Sequence, residues 1–99
     1  GRVADFLKLP DGGQVAGISL VERTLTKVAG VEQMQLVQDR LDRVIVNRVK
    51  GSDFTEQTDS LLLDAMREVF DERVALDIVD MSSIPQELSG KYRFSICKV

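Results

Sequence analysis

Histidine and tryptophan are absent, cysteine occurs once and proline twice, and no apolar run approaches membrane length. Each absence removes a class of function. Without histidine, neither a serine–histidine nor a cysteine–histidine nucleophile pair can be assembled. Cys97, the lone cysteine, cannot close an internal disulfide, and zinc would find too few nitrogen and sulfur ligands; a reducing, cytoplasmic setting is expected. Cys97 itself reads as a core or edge residue of an apolar C-terminal strand. No segment reaches the roughly 20 apolar residues that cross a bilayer, and the opening residues lack a signal peptide's apolar run. Positive charge is also short: 13 basic against 16 acidic residues give a net charge of −3, which argues against nucleic-acid and membrane partners.

What is present makes one ordinary globular domain. Ninety-nine residues support a modest two-layer core but cannot wrap both a nucleotide and an acyl substrate. Asp5 to Leu9 and Gln14 to Ala16 read as a small hairpin around Pro10-Asp11-Gly12-Gly13. Ser19 and Glu22 have capping-box spacing, and Ile18, Val21, Leu25 and Val28 recur at helical spacing before Gly30. Val31 to Val37 alternates as a strand, Asp39-Arg40 turns, and Leu41 to Val49 pairs back. Its consecutive Val44-Ile45-Val46 predicts a central strand covered on both faces. A second helix is expected from Asp53 or Thr55, turning Leu62, Ala65, Met66, Val69 and Phe70 inward. Val74, Leu76 and Ile78 alternate as another strand; a polar connection from Met81 to Ser89 leads to a short closing strand around Phe94 and Ile96. The sum is an α+β fold: a β-hairpin, then a mainly antiparallel sheet with two helices packed on one face.

Candidate chemistry is sparse. Asp71 with Glu72, and Asp39 with Asp42, sit at turns and helix ends and read as solvated charge. Arg40, Arg43, Arg48 and Lys50 cluster on the second hairpin without the interleaved aromatics that would stack bases, and read as a solvated face. Gly90-Lys91 is no phosphate loop, because Pro85 stands where that motif needs glycine and Tyr92 where it needs serine or threonine.

Two segments, taken together, say more. Gly1-Arg2-Val3-Ala4-Asp5 followed by a hairpin resembles the Gly-Arg-x-x-Asp hinge segment of adenylate-forming enzymes, the superfamily of acyl-CoA synthetases, nonribosomal peptide adenylation domains and firefly luciferase. Pro85-x-x-x-x-Gly90-Lys91, within the run Ser89-Gly90-Lys91-Tyr92-Arg93-Phe94, resembles that superfamily's closing motif with its catalytic lysine. The wording of both ends is most similar to the phenylacetate–CoA ligase branch, including relatives in capsular polysaccharide biosynthesis. Residues 1–99 would then be a C-terminal lid domain, with hinge and hairpin over 1–16, a body over 17–99 and a lysine loop over 84–94.

The resemblance implies a two-step reaction in which a carboxylic acid substrate attacks the α-phosphate of ATP, giving an acyl-adenylate that a thiol such as coenzyme A then takes up. It implies Lys91 as the catalytic residue, Arg2 and Gly90 as nucleotide and substrate contacts, and Ala4 with Asp5 as the hinge, Ala4 standing where the family usually has an acidic residue. ATP with Mg2+, and coenzyme A, would require a preceding N-terminal domain, the principal partner, and the domain alone would be inert. The competing reading is a stand-alone α/β module that binds a small ligand or pairs edge to edge with itself.

Overall fold

The computed structural model describes residues 4–86 and 92–99. Its first element is the expected hairpin, β1 (Phe6–Lys8) against β2 (Gln14–Ala16), antiparallel with Leu7 opposite Val15. The turn closes as its residues suggest. Gly12 takes φ +96°, Asp11 Oδ1 accepts from Gly13 N at 2.8 Å, and Leu9 N donates to Gly13 O at 2.8 Å; positive φ is open to glycine without the strain a side chain would add.

β2 runs straight into α1 (Gly17–Lys27). The capping box expected at Ser19 and Glu22 does not form. The helix starts at Gly17, the N-cap is Ala16 with no side-chain cap, and Ser19 lies inside the first turn. Tertiary contact sets this start in place of a local cap: Gly17 N donates to the carbonyl of Asp5 at 3.3 Å. The buried stripe is Leu20, Val21, Thr24 and Val28, with Ile18 and Leu25 at its margins, and the Thr24 hydroxyl is satisfied by donating to Leu20 O at 2.7 Å.

Beyond Gly30, which takes φ +93°, come β3 (Val31–Arg40), β4 (Arg43–Lys50), α2 (Thr58–Arg67), β5 (Ala75–Asp80) and β6 (Ser95–Cys97). The four longer-range strands make one sheet in the order β5-β4-β3-β6. β3 and β4 are antiparallel, as expected of a hairpin, but β3 continues through Arg40, so the turn is Leu41-Asp42 and not the expected Asp39-Arg40. Both outer strands run parallel to their neighbours, β5 to β4 and β6 to β3. β5 follows β4 through α2, a crossover that returns the chain in the same direction, whereas β6 runs opposite to the β5 that precedes it and takes its place beside β3. The α+β architecture read from the sequence is therefore the observed one, with an antiparallel pair at the centre of its main sheet.

The core lies between one face of this sheet and the helices. Met34 and Leu36 of β3 and Val44 and Val46 of β4 are fully buried, and share one cluster with Leu20, Val21 and Val28 of α1, Leu62, Ala65 and Met66 of α2, and Phe70 and Val74 beyond it. The opposite face is only half covered. Val37 and Ile45 point there, so β4 is central yet sealed on one side, not on both as its β-branched run suggests.

α2 begins later than expected because residues 53–55 are used in docking. The Thr58 hydroxyl accepts from Thr55 N at 3.0 Å and donates to Ala29 O at 3.5 Å. Val69 and Phe70 lie past the helix end, where Arg67 Nη1 donates to the carbonyls of Phe70, Asp71 and Val74 at 3.4, 2.5 and 2.7 Å. That single guanidinium group pins the carbonyls of the turn that follows the helix and leads into β5. No helix among the described residues is long and apolar enough to cross a membrane.

Candidate functional site

Extended backbone at Ala4 and Asp5 lies along β6, so the beginning and end of the chain meet. Ala4 forms a parallel bridge with Ser95, and Asp5 N donates to Ser95 O at 3.1 Å. The Asp5 carbonyl accepts from the Ser95 hydroxyl at 2.6 Å as well as from Gly17 N. Its carboxylate oxygen Oδ2 accepts from Arg93 Nη2 at 2.9 Å and from Cys97 N at 2.9 Å. One residue thus ties together the segment before the hairpin, the start of α1 and the closing strand.

The junction admits no spare volume. A Cβ on Gly17 would fall 1.9 Å from Ser95 Oγ and 2.7 Å from the Asp5 carbonyl, so glycine is the residue that lets α1 start here. The ion pair is partly shielded, with side-chain exposures of 33% for Arg93 and 22% for Asp5, which places it between a screened surface pair and a desolvated one. On the sheet side, Gln35 Nε2 donates to Arg93 O at 2.9 Å and Leu36 N to Phe94 O at 2.9 Å. Tyr92 meets Phe94 edge to face, ring centroids 4.8 Å apart.

A second fastening holds the hairpin. Gln38, fully buried on the core face of β3, accepts from Lys8 N through Oε1 at 2.8 Å and donates to Lys8 O through Nε2 at 2.8 Å. The side-chain amide completes both backbone bonds of an edge residue, as a neighbouring strand would. Cys97 Sγ contacts the same Oε1 at 3.6 Å, consistent with its reading as a core or edge residue. Between the hairpin turn and Leu41 lies an open cleft of about 240 Å³, lined in part by Lys8, Pro10, Gly12 and Gly13.

Of the residues singled out in the sequence, Ala4 and Asp5 stand at this junction. Arg2, Gly90 and Lys91 lie outside the described residues. On either side of the latter two, Ile84 is buried and Tyr92 is half-buried. Burial pushes the Tyr92 hydroxyl above the ordinary tyrosine pKa of 10.0, opposed in part by a hydrogen bond with the Met34 backbone.

The basic residues of the second hairpin are all matched with carboxylates: Arg40 with Asp42, Arg43 with Asp39 and Asp77, Lys50 with Asp80. Arg48 departs from the solvated-face expectation. Its side chain is 2% exposed, bonded to Asp59 and Asp80, with its guanidinium 5.0 Å from the Phe54 ring centroid. Position 48 shares the core parity of Val44 and Val46, and the two carboxylates make that burial tolerable. No patch of unmatched positive charge for a phosphate backbone remains on this hairpin.

Arg93, Ser95, Gly17 and Gln38 were not assigned from sequence. Gln38 was detectable in principle, since it continues the period-two register of Met34 and Leu36 and is thus a polar residue on an apolar face. Arg93 and Asp5 are 88 positions apart, and no local pattern connects them.

A family model described as the CapK C-terminal domain matches residues 7–98. The chain belongs to the CapK C-terminal domain family. The family ties it to capsular polysaccharide biosynthesis. Comparisons with curated proteins and with solved structures gave no match. The CapK match begins inside β1 and runs past β6, so it takes in Lys91 and Arg93, while Ala4 and Asp5 lie just ahead of it.

Proposed function

We propose that this CapK C-terminal domain is the lid domain of an ATP-dependent, phenylacetate–CoA ligase-like enzyme, which activates a carboxylic acid as an acyl-adenylate and passes it to a thiol. The observation that carries the reading is the Asp5 junction. Two segments that resemble the superfamily's hinge and catalytic-lysine motifs, at opposite ends of the sequence, are joined there by Asp5 and Arg93.

In this reading Lys91 is the catalytic residue. Negative charge accumulates between the acid's carboxylate and the α-phosphate of ATP, and a lysine ammonium is a compact point charge able to bridge both. Arg2 and Gly90 serve the nucleotide, Gly90 by allowing close backbone approach. Mg2+ would enter with ATP, which belongs to the N-terminal domain in this reading. The hairpin over Lys8 to Gln14 would face the active site when coenzyme A or another thiol accepts the acyl group. The isolated domain is inert, and the reaction is cytoplasmic.

Replacing Lys91 with alanine in the parent enzyme should lower acid-dependent pyrophosphate release by about 100-fold or more, the scale of losing one well-placed electrostatic group. An unchanged rate would remove Lys91 from the chemistry, and no acid-dependent release from the unmodified parent would remove the ligase reading.

A further inference from the structure

The main sheet ends differently on its two sides. Beyond β6, Ala4 and Asp5 lie along the strand, and Asp5 N donates to the Ser95 carbonyl. Beyond β5 no further strand pairs among the described residues. Ala75 N and Met81 N donate to Asp42 O and Arg48 O, both at 2.8 Å. Backbone groups alternate from side to side along a strand, so Asp77 and Val79 also face β4. The N–H and C=O groups of Leu76, Ile78 and Asp80 then point away from the sheet, and none of the described residues pairs with them.

This edge lacks the features that commonly blunt one. Ala75–Asp80 contains no proline, glycine or lysine, and its register with β4 runs from Arg43–Ala75 to Arg48–Asp80 without a bulge; a strand of that kind is a template for another. Its protection is negative charge alone, at Asp77 and Asp80. The charge extends beyond the strand. Residues 53–80, which hold α2 and β5, carry nine carboxylates against two arginines, while basic residues outnumber acidic ones in the rest of the chain. Cations of β4 offset Asp59, Asp77 and Asp80. Asp53, Glu56, Asp64 and Glu72 have no ion-pair partner among the described residues, so this flank keeps a net negative field.

We propose that the β5 edge is a docking site for an extended, basic segment of another protein, which joins the main sheet as an added strand. Leu76, Ile78 and Asp80 supply the backbone bonds, and side chains on alternate faces supply the selectivity. Basic residues of the added strand lie beside Asp77 on the open face, and apolar ones beside the half-buried Leu76 and Ile78 on the core face. Opposite charges on neighbouring strands attract and like charges repel. A second copy, whose edge carries the same two carboxylates, is therefore the wrong occupant, and a strand bearing lysine or arginine is the right one.

The probe is a fluorescein-labelled peptide of about eight residues in which lysine and valine alternate, titrated with the 99-residue chain. Its anisotropy should rise and saturate, and raising the salt from about 0.05 M to about 0.5 M should weaken binding by about tenfold or more. Asp77→Asn should weaken it by about twofold to fivefold, and an analogue with glutamate in place of lysine should not bind. In the complex, amide hydrogen exchange should slow at Leu76, Ile78 and Asp80, and stay unchanged at Asp77 and Val79, which already bond β4. No saturation with the lysine peptide, equal binding of the glutamate analogue, or binding that leaves those three amides as they were would each overturn the site. Protection of the same amides that grows with chain concentration and needs no peptide would overturn it in favour of a second copy.

Discussion

Tyr92 is the sole tyrosine of a chain without tryptophan, and it directly precedes the anchored Arg93. Its phenolate absorbance therefore reports on one point of the junction with no background. Burial favours the neutral phenol, so the folded chain holds this proton more tightly than the unfolded one. The linkage has a definite sign. Stability from this group is fully present below the ordinary pKa of 10.0, and is lost as pH rises from there through the raised folded value. Spectrophotometric titration should give a midpoint above that of free tyrosine, and urea melts should shift to lower midpoints as pH rises past it. A free-tyrosine midpoint would mean that Tyr92 is solvated and does not seal the edge of β6.

At the scale of elements, Arg48 links three of them. Its Nε and Nη2 bond Asp80 of β5 at 2.8 and 2.7 Å, its Nη1 bonds Asp59 in the first turn of α2, and Phe54 of the preceding loop stacks on it. The carboxylates are about half exposed, 54% and 50%, so either one can be lost to water at modest cost. Asp59→Ala and Asp80→Ala should each cost about 1 kcal/mol or less, the scale of partly exposed pairs. The double variant strands a buried guanidinium and should cost more than about 3 kcal/mol. Urea denaturation of the four-member cycle checks this, and additive losses would show that Arg48 finds water when its partners go. The same elements show what sequence could and could not supply. The first hairpin was legible because proline, aspartate and two glycines act within one turn. Helix α1 was legible in period but not in its start, which Asp5 and Ser95 set from a distance. Arg48 was misread because its register on β4 was outweighed by its company of surface arginines. That β5 pairs parallel with β4 and β6 with β3 was not legible, since pairing between strands distant in sequence leaves no local trace.

For the molecule as a whole, the open sheet face and the β5 edge decide whether copies of the chain can adhere. Asp77 sits opposite Ile45, which sits opposite Val37 and then Ile96, in one row across that face. Val79 on the same strand is 44% exposed. Two acidic residues, Asp77 and Asp80, stand on this edge, and charge on an edge strand opposes its pairing with a second copy. Asp77→Val would turn the row into a continuous apolar stripe. Sedimentation velocity should then show concentration-dependent association greater than that of the unmodified chain; no increase would mean that the edge is protected by something other than its charge. On this scale the candidate site was half legible. Ala4 and Asp5 were named by a motif, whereas Arg93, Ser95 and Gln38 needed the fold to bring positions far apart in sequence into contact.

The parallel bridge between Ala4 and Ser95 has a mechanical meaning. Tension applied to Ala4 along the strand direction would load the bonds to β6 in shear and share the load among them, instead of peeling them one by one. Force arriving there would thus pass to β6 and to the start of α1 together, because Asp5 is bonded to both.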